Sequence, residues 1–319
     1  MLTRLKFVPM RLLQVVPVAF GVTLVVFFMV HLIPGDPAES LLGAQATPER
    51  VAALRQQMGL DQPLARQYWH FLDDLLHGNL GQSYTYHTPV LSLIGERLPV
   101  TLLLVAYAIL LILVISIPLS ILAASRPGKL GDHAVRVIPL VGLGMPQFWV
   151  GVMLLLVLAV GTGWFPVGGY GDTFAEHLWY LFLPALTMAI SLSPIIIRSL
   201  RSSMLNVLES DYVATARSKG AGGRALFVGH VLRNSVIPAV SIIGVNVSYL
   251  VGGSLVIEKV FAIPGLGSMM IESIFARDFP SVQAVALFVA IFVVLVGVLT
   301  DVVYTLLDPR VDLTRRSET

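Results

Sequence analysis

The chain contains no cysteine. That excludes a disulfide framework and a thiolate metal site. Charge is also scarce: Asp, Glu, Lys and Arg make up 13% of the 319 residues, where a soluble domain carries about a quarter. The net charge of +2 is too small to point to nucleic acid. No G-x-x-x-x-G-K-[ST] loop occurs, so ATP is not bound by that route. There is no H-E-x-x-H pair and no G-x-S-x-G element, and the seven histidines are scattered. The serines of the apolar runs (Ser116, Ser120, Ser191, Ser193, Ser241, Ser248) have no histidine in register and read as hydrogen-bonders between helices.

What is abundant is apolar: hydrophobic residues form 56% of the chain, in long continuous runs rather than alternation. In lipid the backbone must satisfy its own hydrogen bonds, so continuous runs of this length are helices. The reading is an all-α, polytopic membrane protein with six transmembrane helices: Leu12–Ile33, Leu98–Ala124, Val135–Val160, Leu178–Leu200, Val236–Ile257 and Val282–Leu307. At 1.5 Å per residue each crosses a core of about 30 Å. The first run follows Arg4, Lys6 and Arg11 like a signal peptide, but is too long for a cleaved one, so it is read as a retained span.

Basic residues set the orientation. With the N-terminus inside, 15 of the 21 lysines and arginines fall on inner segments; the outer six are Arg50, Arg55, Arg66, Arg97, Lys259 and Arg277. That bias places both termini in the cytoplasm. The resulting segments are 1–33 (cytoplasmic N-terminus and first helix), 34–97 (an extracytoplasmic helical segment), 98–307 (a transmembrane core with a cytoplasmic loop at 201–235) and 308–319 (a cytoplasmic tail). Asp301 is the exceptional ionisable group within a span. Lying near the inner end of the last one, it is read as bonding a helix end or an arginine.

Segment 34–97 carries its own helix signals. Thr47-Pro48-Glu49 reads as a cap, a first-turn proline and an early acid, with a stop at Gly59. A second helix from Pro63 to His77 places Leu64, Tyr68, Phe71, Leu72 and Leu75 on one side and stops at Gly78. The segment serves as a cap over the spans, as a partner platform, or as both.

The inner segment from Asp211 to Pro238 (DYVATARSKGAGGRALFVGHVLRNSVIP) is the most informative. Ser210 can cap a helix, Asp211 sits in its first turn, and Arg217 and Lys219 lie in its last, each sign matching the dipole. Gly220 ends it in the left-handed conformation, and Gly222 and Gly223 make a second break. A short helix from Arg224 to Asn234 then leads to Pro238, which can begin the next span. The bland alternative is a solvated connector. A capped basic helix between two membrane spans points instead to a docking element.

These residues resemble the integral-membrane permease subunits of bacterial ABC importers, in the dipeptide/oligopeptide/nickel group. The markers are Pro34-Gly35-Asp36-Pro37, Gly59-Leu60-Asp61-Gln62-Pro63, Gly78-Asn79-Leu80-Gly81-Gln82-Ser83, Met145-Pro146-Gln147-Phe148-Trp149, Arg201-Ser202-Ser203-Met204-Leu205, Phe261-Ala262-Ile263-Pro264-Gly265-Leu266-Gly267, Arg277-Asp278-Phe279-Pro280 and Asp308-Pro309-Arg310, with the inner segment among them. Where that family's inner loop has Glu-Ala-Ala before its glycine, this chain has Ala214, Thr215 and Ala216 before Gly220, so position 214 supplies no carboxylate.

The resemblance implies an ABC importer permease fold in the bacterial inner membrane and half of a translocation pore for di- or oligopeptides, with nickel chelates, glutathione-like peptides and other small solutes as further substrates. The implied partners are a paralogous permease forming a heterodimer, two cytoplasmic ATPase subunits, an extracytoplasmic solute-binding protein and membrane lipid. The chain itself is then no enzyme and holds no cofactor, ATP and Mg belonging to the ATPases. The coupling residues so implied are Asp211, Thr215, Ala216, Arg217, Ser218, Lys219, Gly220 and Ala221. The alternatives are a stand-alone carrier or channel, for which Asp301 alone is a thin set of buried charges, and a membrane-embedded enzyme, for which no catalytic constellation exists.

Overall fold

The computed structural model describes residues 7–32, 36–220 and 226–307, and among these no β-strand occurs beyond an isolated bridge between Gln82 and Pro89. The helices are α1 (Phe7–Leu13), α2 (Val15–Leu32), α3 (Pro37–Leu42), α4 (Pro48–Gln57), α5 (Leu64–Leu76), α6 (Val90–Ser125), α7 (Leu130–Leu143), α8 (Gln147–Leu154), α9 (Phe174–Leu208), α10 (Asp211–Ser218), α11 (Arg233–Val260), α12 (Leu266–Ala276) and α13 (Phe279–Leu307). Four stretches among the described residues are helical, long and apolar enough to cross a membrane: Pro9–Met29, Val90–Ser125, Phe174–Leu208 and Phe279–Val303. α11, at 28 residues, has the length as well.

Several boundaries differ from the sequence reading. The first expected span is interrupted at Gln14, between α1 and α2, and α6 starts at Val90, well before the expected Leu98 and inside the segment 34–97. The expected span Val135–Val160 is broken: α7 stops at Leu143, α8 starts at Gln147, and Gly144-Met145-Pro146 lies between them. Pro146 has no N–H to donate and restricts Met145, which is enough to end a helix. α8 then continues as a π-helix, Leu155–Gly161. The fourth span does not stop at Leu200; α9 carries on to Leu208 and takes up the first part of the 201–235 loop. Pro238 does not begin a helix. A π-helix over Phe227–Leu232 runs straight into α11, and Pro238 sits inside it, as membrane helices tolerate.

The chain divides into two compact units. The first is built on Leu102–Ile263 with parts of α1 and α13. α9 is its central helix, and α7, α8, α10 and α11 all pack on it. Its buried residues run from Leu181 to Met204 and include Pro184 and Pro194. A capping box fixes its start: the Thr173 hydroxyl accepts from the Glu176 N–H, and the Glu176 carboxylate accepts from the Thr173 N–H. Ser120 donates to the Ile197 carbonyl across helices at 3.2 Å, whereas Ser191 bonds the Thr187 carbonyl of its own helix. Asp301 meets an arginine, Arg11 Nη2, at 3.2 Å.

Close approach in this unit depends on glycine. A Cβ on Gly244 of α11 would lie 1.9 Å from Thr300 Cγ2 of α13, whereas one on Gly252 would meet nothing within 4 Å. Gly244→Ala is therefore expected to destabilise the chain by about 1–3 kcal/mol through overpacking, while Gly252→Ala is neutral or slightly favourable. Thermal unfolding of the two variants in detergent checks this; equal midpoints would contradict it.

The second unit is built on Leu13–Thr101 and Pro264–Val294. Thr47 caps α4 by accepting from the Arg50 N–H, and Gly59 and Gly78 follow α4 and α5 at φ 66° and 74°, so both stops fall where glycine marks them. Tyr68 of α5 turns towards α2: its ring packs edge-on against Phe27 and its hydroxyl lies 3.0 Å from Thr23 Oγ1, with Phe71 beside it on α5. Leu80, Val90, Leu93, Ile94, Leu266, Met269, Ala284 and Val285 form the core. Asp278, fully buried, is the polar centre. Its carboxylate accepts from the Ser83 and Ser281 hydroxyls and from the Tyr84 and Thr85 N–H groups, tying the 83–85 loop to the start of α13.

Candidate functional site

α10 lies between α9 and α11 in the chain and packs on α9. Ser210 is its N-cap residue by backbone (φ −75°, ψ 147°), but its hydroxyl donates back to the Val207 carbonyl at 2.5 Å instead of capping. The first turn closes through Val213 and Ala214 N–H groups on the Ser210 carbonyl. Asp211 and Arg217 occupy the first and last turns, matching the dipole as expected. The Gly220 N–H bonds the Arg217 carbonyl at 3.0 Å, and Gly220 has φ 83°. Nothing lies within 4 Å of a Cβ placed on it, so glycine is required there by the backbone alone.

One residue anchors this helix. Val213 is fully buried, while Asp211, Tyr212, Ala214, Thr215, Arg217, Ser218, Lys219 and Gly220 are exposed and Ala216 is half-buried. The Tyr212 hydroxyl adds a tie by accepting from Asn234 Nδ2 of α11 at 3.2 Å. Among the expected coupling residues, Thr215 and Ser218 spend their hydroxyls on carbonyls of the same helix, those of Asp211 and Thr215. Arg217 borders a cavity of about 370 Å³ with Glu209, Leu208 and Phe227. Ala221, the Gly222–Gly223 break, Arg224, Pro34 and Gly35, and the tail 308–319 lie outside the described residues.

The sequence reading missed a second feature, an ion pair between α7 and α9. Arg201, near the end of α9, makes a two-pronged pair with Asp132 in the first turn of α7, Nε to Oδ1 at 2.5 Å and Nη2 to Oδ2 at 2.7 Å. Arg136 approaches the same carboxylate at 3.5 Å, and the Gly128 N–H donates to it at 2.9 Å. Asp132 is 1% exposed. The Arg201 hydrogen bonds, helped by the Gly128 N–H and the two guanidinium charges and opposed by burial, hold its carboxyl down at about 2. No local pattern joins residues 69 apart; an aspartate one turn before Arg136 was the one available hint.

Long apolar helices, with a short exposed helix between two of them in the chain, define a membrane-embedded protein. The residue 116–313 region matches the family model described as binding-protein-dependent transport system inner membrane component, and residues 4–105 match its N-terminal companion. The chain belongs to this family: it is an ABC-importer permease of the dipeptide/oligopeptide type, a transport subunit and a multi-pass inner-membrane protein. A protein of Brucella abortus, provisionally named a peptide transport system permease, is 38% identical over 304 residues, covering 94% of this chain and 97% of that one. The glutathione transport system permease protein GsiC of Escherichia coli O6:H1 is 35% identical over 307 residues, covering 96% and 99%. A chain in a solved structure of the MetNI methionine ABC transporter shares the fold, with a TM-score of 0.57 at 18% identity, over 68% of this chain and 96% of that one.

Proposed function

We propose that this chain forms half of the pore of an ATP-driven importer for short peptides and that α10 is the handle by which an ATPase subunit moves it. The observation that carries the reading is α10 itself, held at Val213 and otherwise presenting an exposed polar surface. In this reading six crossings (α1–α2, α6, α7–α8, α9, α11 and α13) place α10 and both termini in the cytoplasm and residues 34–97 outside, in keeping with the basic-residue bias. ATP and Mg belong to two ATPase subunits; a paralogous permease completes the pore, and a solute-binding protein delivers the cargo from outside. The names of relatives in peptide and glutathione transport favour a peptide substrate.

ATP-driven closure of the ATPases shifts the pore between inward- and outward-open states through α10. A partner can do so only by binding α10 differently in the two. Because the chain has no cysteine, Thr215→Cys gives a single reactive thiol. It is expected to crosslink to the ATPase subunit in the assembled complex, with a yield that changes on ATP binding. No crosslink to that subunit, or peptide uptake by proteoliposomes holding this chain alone, would overturn the reading.

A further inference from the structure

The second unit holds a cleft of about 430 Å³ between α5, the end of α2 and the start of α13, a size within the range of small-molecule sites. Its lining is rich in neutral hydrogen-bonding groups, and several are unused. Gln283 is 9% exposed, and its carboxamide has no hydrogen-bond partner among the described residues. Gln62 Oε1 is buried without a partner too. An acceptor enclosed without a donor is costly, and Gln62 Oε1 is one; the Gln283 carboxamide, which lines the same cleft and is not enclosed in that way, is open to a ligand there. Tyr84 lines the same wall. Burial, and then the neighbouring Asp278 carboxylate, push its phenol up to about 12, so it remains a donor at neutral pH.

The charge of the lining narrows the ligand. No lysine or arginine is among the described residues that line it, and Asp74 supplies a carboxylate. Asp74 Oδ1 accepts from Asn79 Nδ2, which leaves Oδ2 for a ligand. His31 is occupied by the Phe27 carbonyl and Gln67 Oε1 at 2.7 and 3.2 Å, and His70 is the remaining imidazole. An anion finds no fixed cation here. A molecule with amide groups and one positive end matches the unused acceptors, the neutral donors and the acid.

We infer that this cleft binds a short peptide with a free amino terminus, its ammonium at Asp74 and its backbone amide at Gln62 and Gln283. The inference rests on the peptide-import reading and adds to it a peptide site in the unit that carries the 34–97 segment.

The assembled transporter in nanodiscs, without its binding protein, is titrated calorimetrically with L-alanyl-L-alanine and with its N-acetyl derivative. The dipeptide is expected to bind, and Gln283→Leu to weaken it about tenfold, the equivalent of one hydrogen bond. Asp74→Asn should weaken the free dipeptide and leave the N-acetyl form unchanged. Tyr84→Phe, which removes only the hydroxyl, should weaken both forms and guards against a folding artefact at Gln283. No dipeptide binding by the parent, or equal binding by parent and all three variants, overturns the inference. So does a Gln283→Leu variant that loses binding-protein docking while keeping the dipeptide, since the cleft would then receive protein. Peptide import is measured in parallel with the binding protein present. A parent complex that imports no peptide sinks the import reading; normal import by a parent whose variants bind unchanged sinks the cleft alone.

Discussion

Arg201→Ala is expected to cost about 3–5 kcal/mol of stability, because it strips the principal partner from a buried carboxylate. Asp132 is 1% exposed and would keep only the Gly128 N–H and the more distant Arg136. Arg136, whose side chain is 43% exposed, is in water's reach and screens poorly for the loss. The double change Asp132→Leu with Arg201→Met removes both charges and should recover most of the loss, since the penalty comes from an orphaned charge and not from the absence of the pair. Thermal unfolding in detergent reads this directly. A single variant within measurement error of the parent would show that the carboxylate finds another partner or water.

The same pair sets a pH dependence. The folded-state pKa of Asp132 is lowered, from the ordinary 3.8 to about 2, so the unfolded chain binds the proton more readily. The pair's stabilisation is fully present above about pH 4 and is lost as the pH falls towards 2. In the Asp132→Leu/Arg201→Met variant that acid-side loss should be smaller than in the parent.

Gly220→Val is expected to uncouple ATP hydrolysis from import. The penalty is conformational: at φ 83° an L residue meets its own backbone, at a cost of roughly 1–2 kcal/mol, more for a β-branched side chain. Since a Cβ there has open space around it, a packing clash is not the cause. The substitutions should therefore rank by tolerance of the left-handed region, with Asn mildest, Ala intermediate and Val worst. The effect reaches function through the exit of α10. Under the proposed coupling role, a residue refusing that turn would re-aim the chain after Lys219 and loosen the surface offered to an ATPase, while Val213 would still anchor the helix. The readout is peptide transported per ATP hydrolysed in a reconstituted complex. An unchanged ratio for the Val variant would remove Gly220 from the coupling element.

Much of the local structure was legible in the sequence because it is decided by residues within one turn of each other. Thr47 and Pro48 start α4, and Gly59 and Gly78 mark the stops that follow α4 and α5. Asp211 to Gly220 gives a charged, glycine-terminated helix. Reading failed where a local signal had two outcomes. Gly144-Met145-Pro146 could kink a continuous span or end a helix, and it ends one. Pro238 could open a helix or sit within one, and it sits within one. Ser210 supplied the backbone of a cap, but its hydroxyl turned to Val207.

The sequence by itself determined the solvent and the class: long uncharged runs belong in lipid, and the ordered markers belong to a permease. It also determined left-handed turns that only glycine takes freely, at Gly59, Gly78 and Gly220. The tertiary structure decided which distant groups meet: Asp132 with Arg201, Asp278 with the 83–85 loop, Val213 with its socket, and Gln62 with Gln283 at one cleft. The reason is range. Capping, helix breaking and transfer into lipid depend on neighbours along the chain, whereas ion pairs, buried carboxylates and clefts depend on helices that come together only when the whole chain has packed.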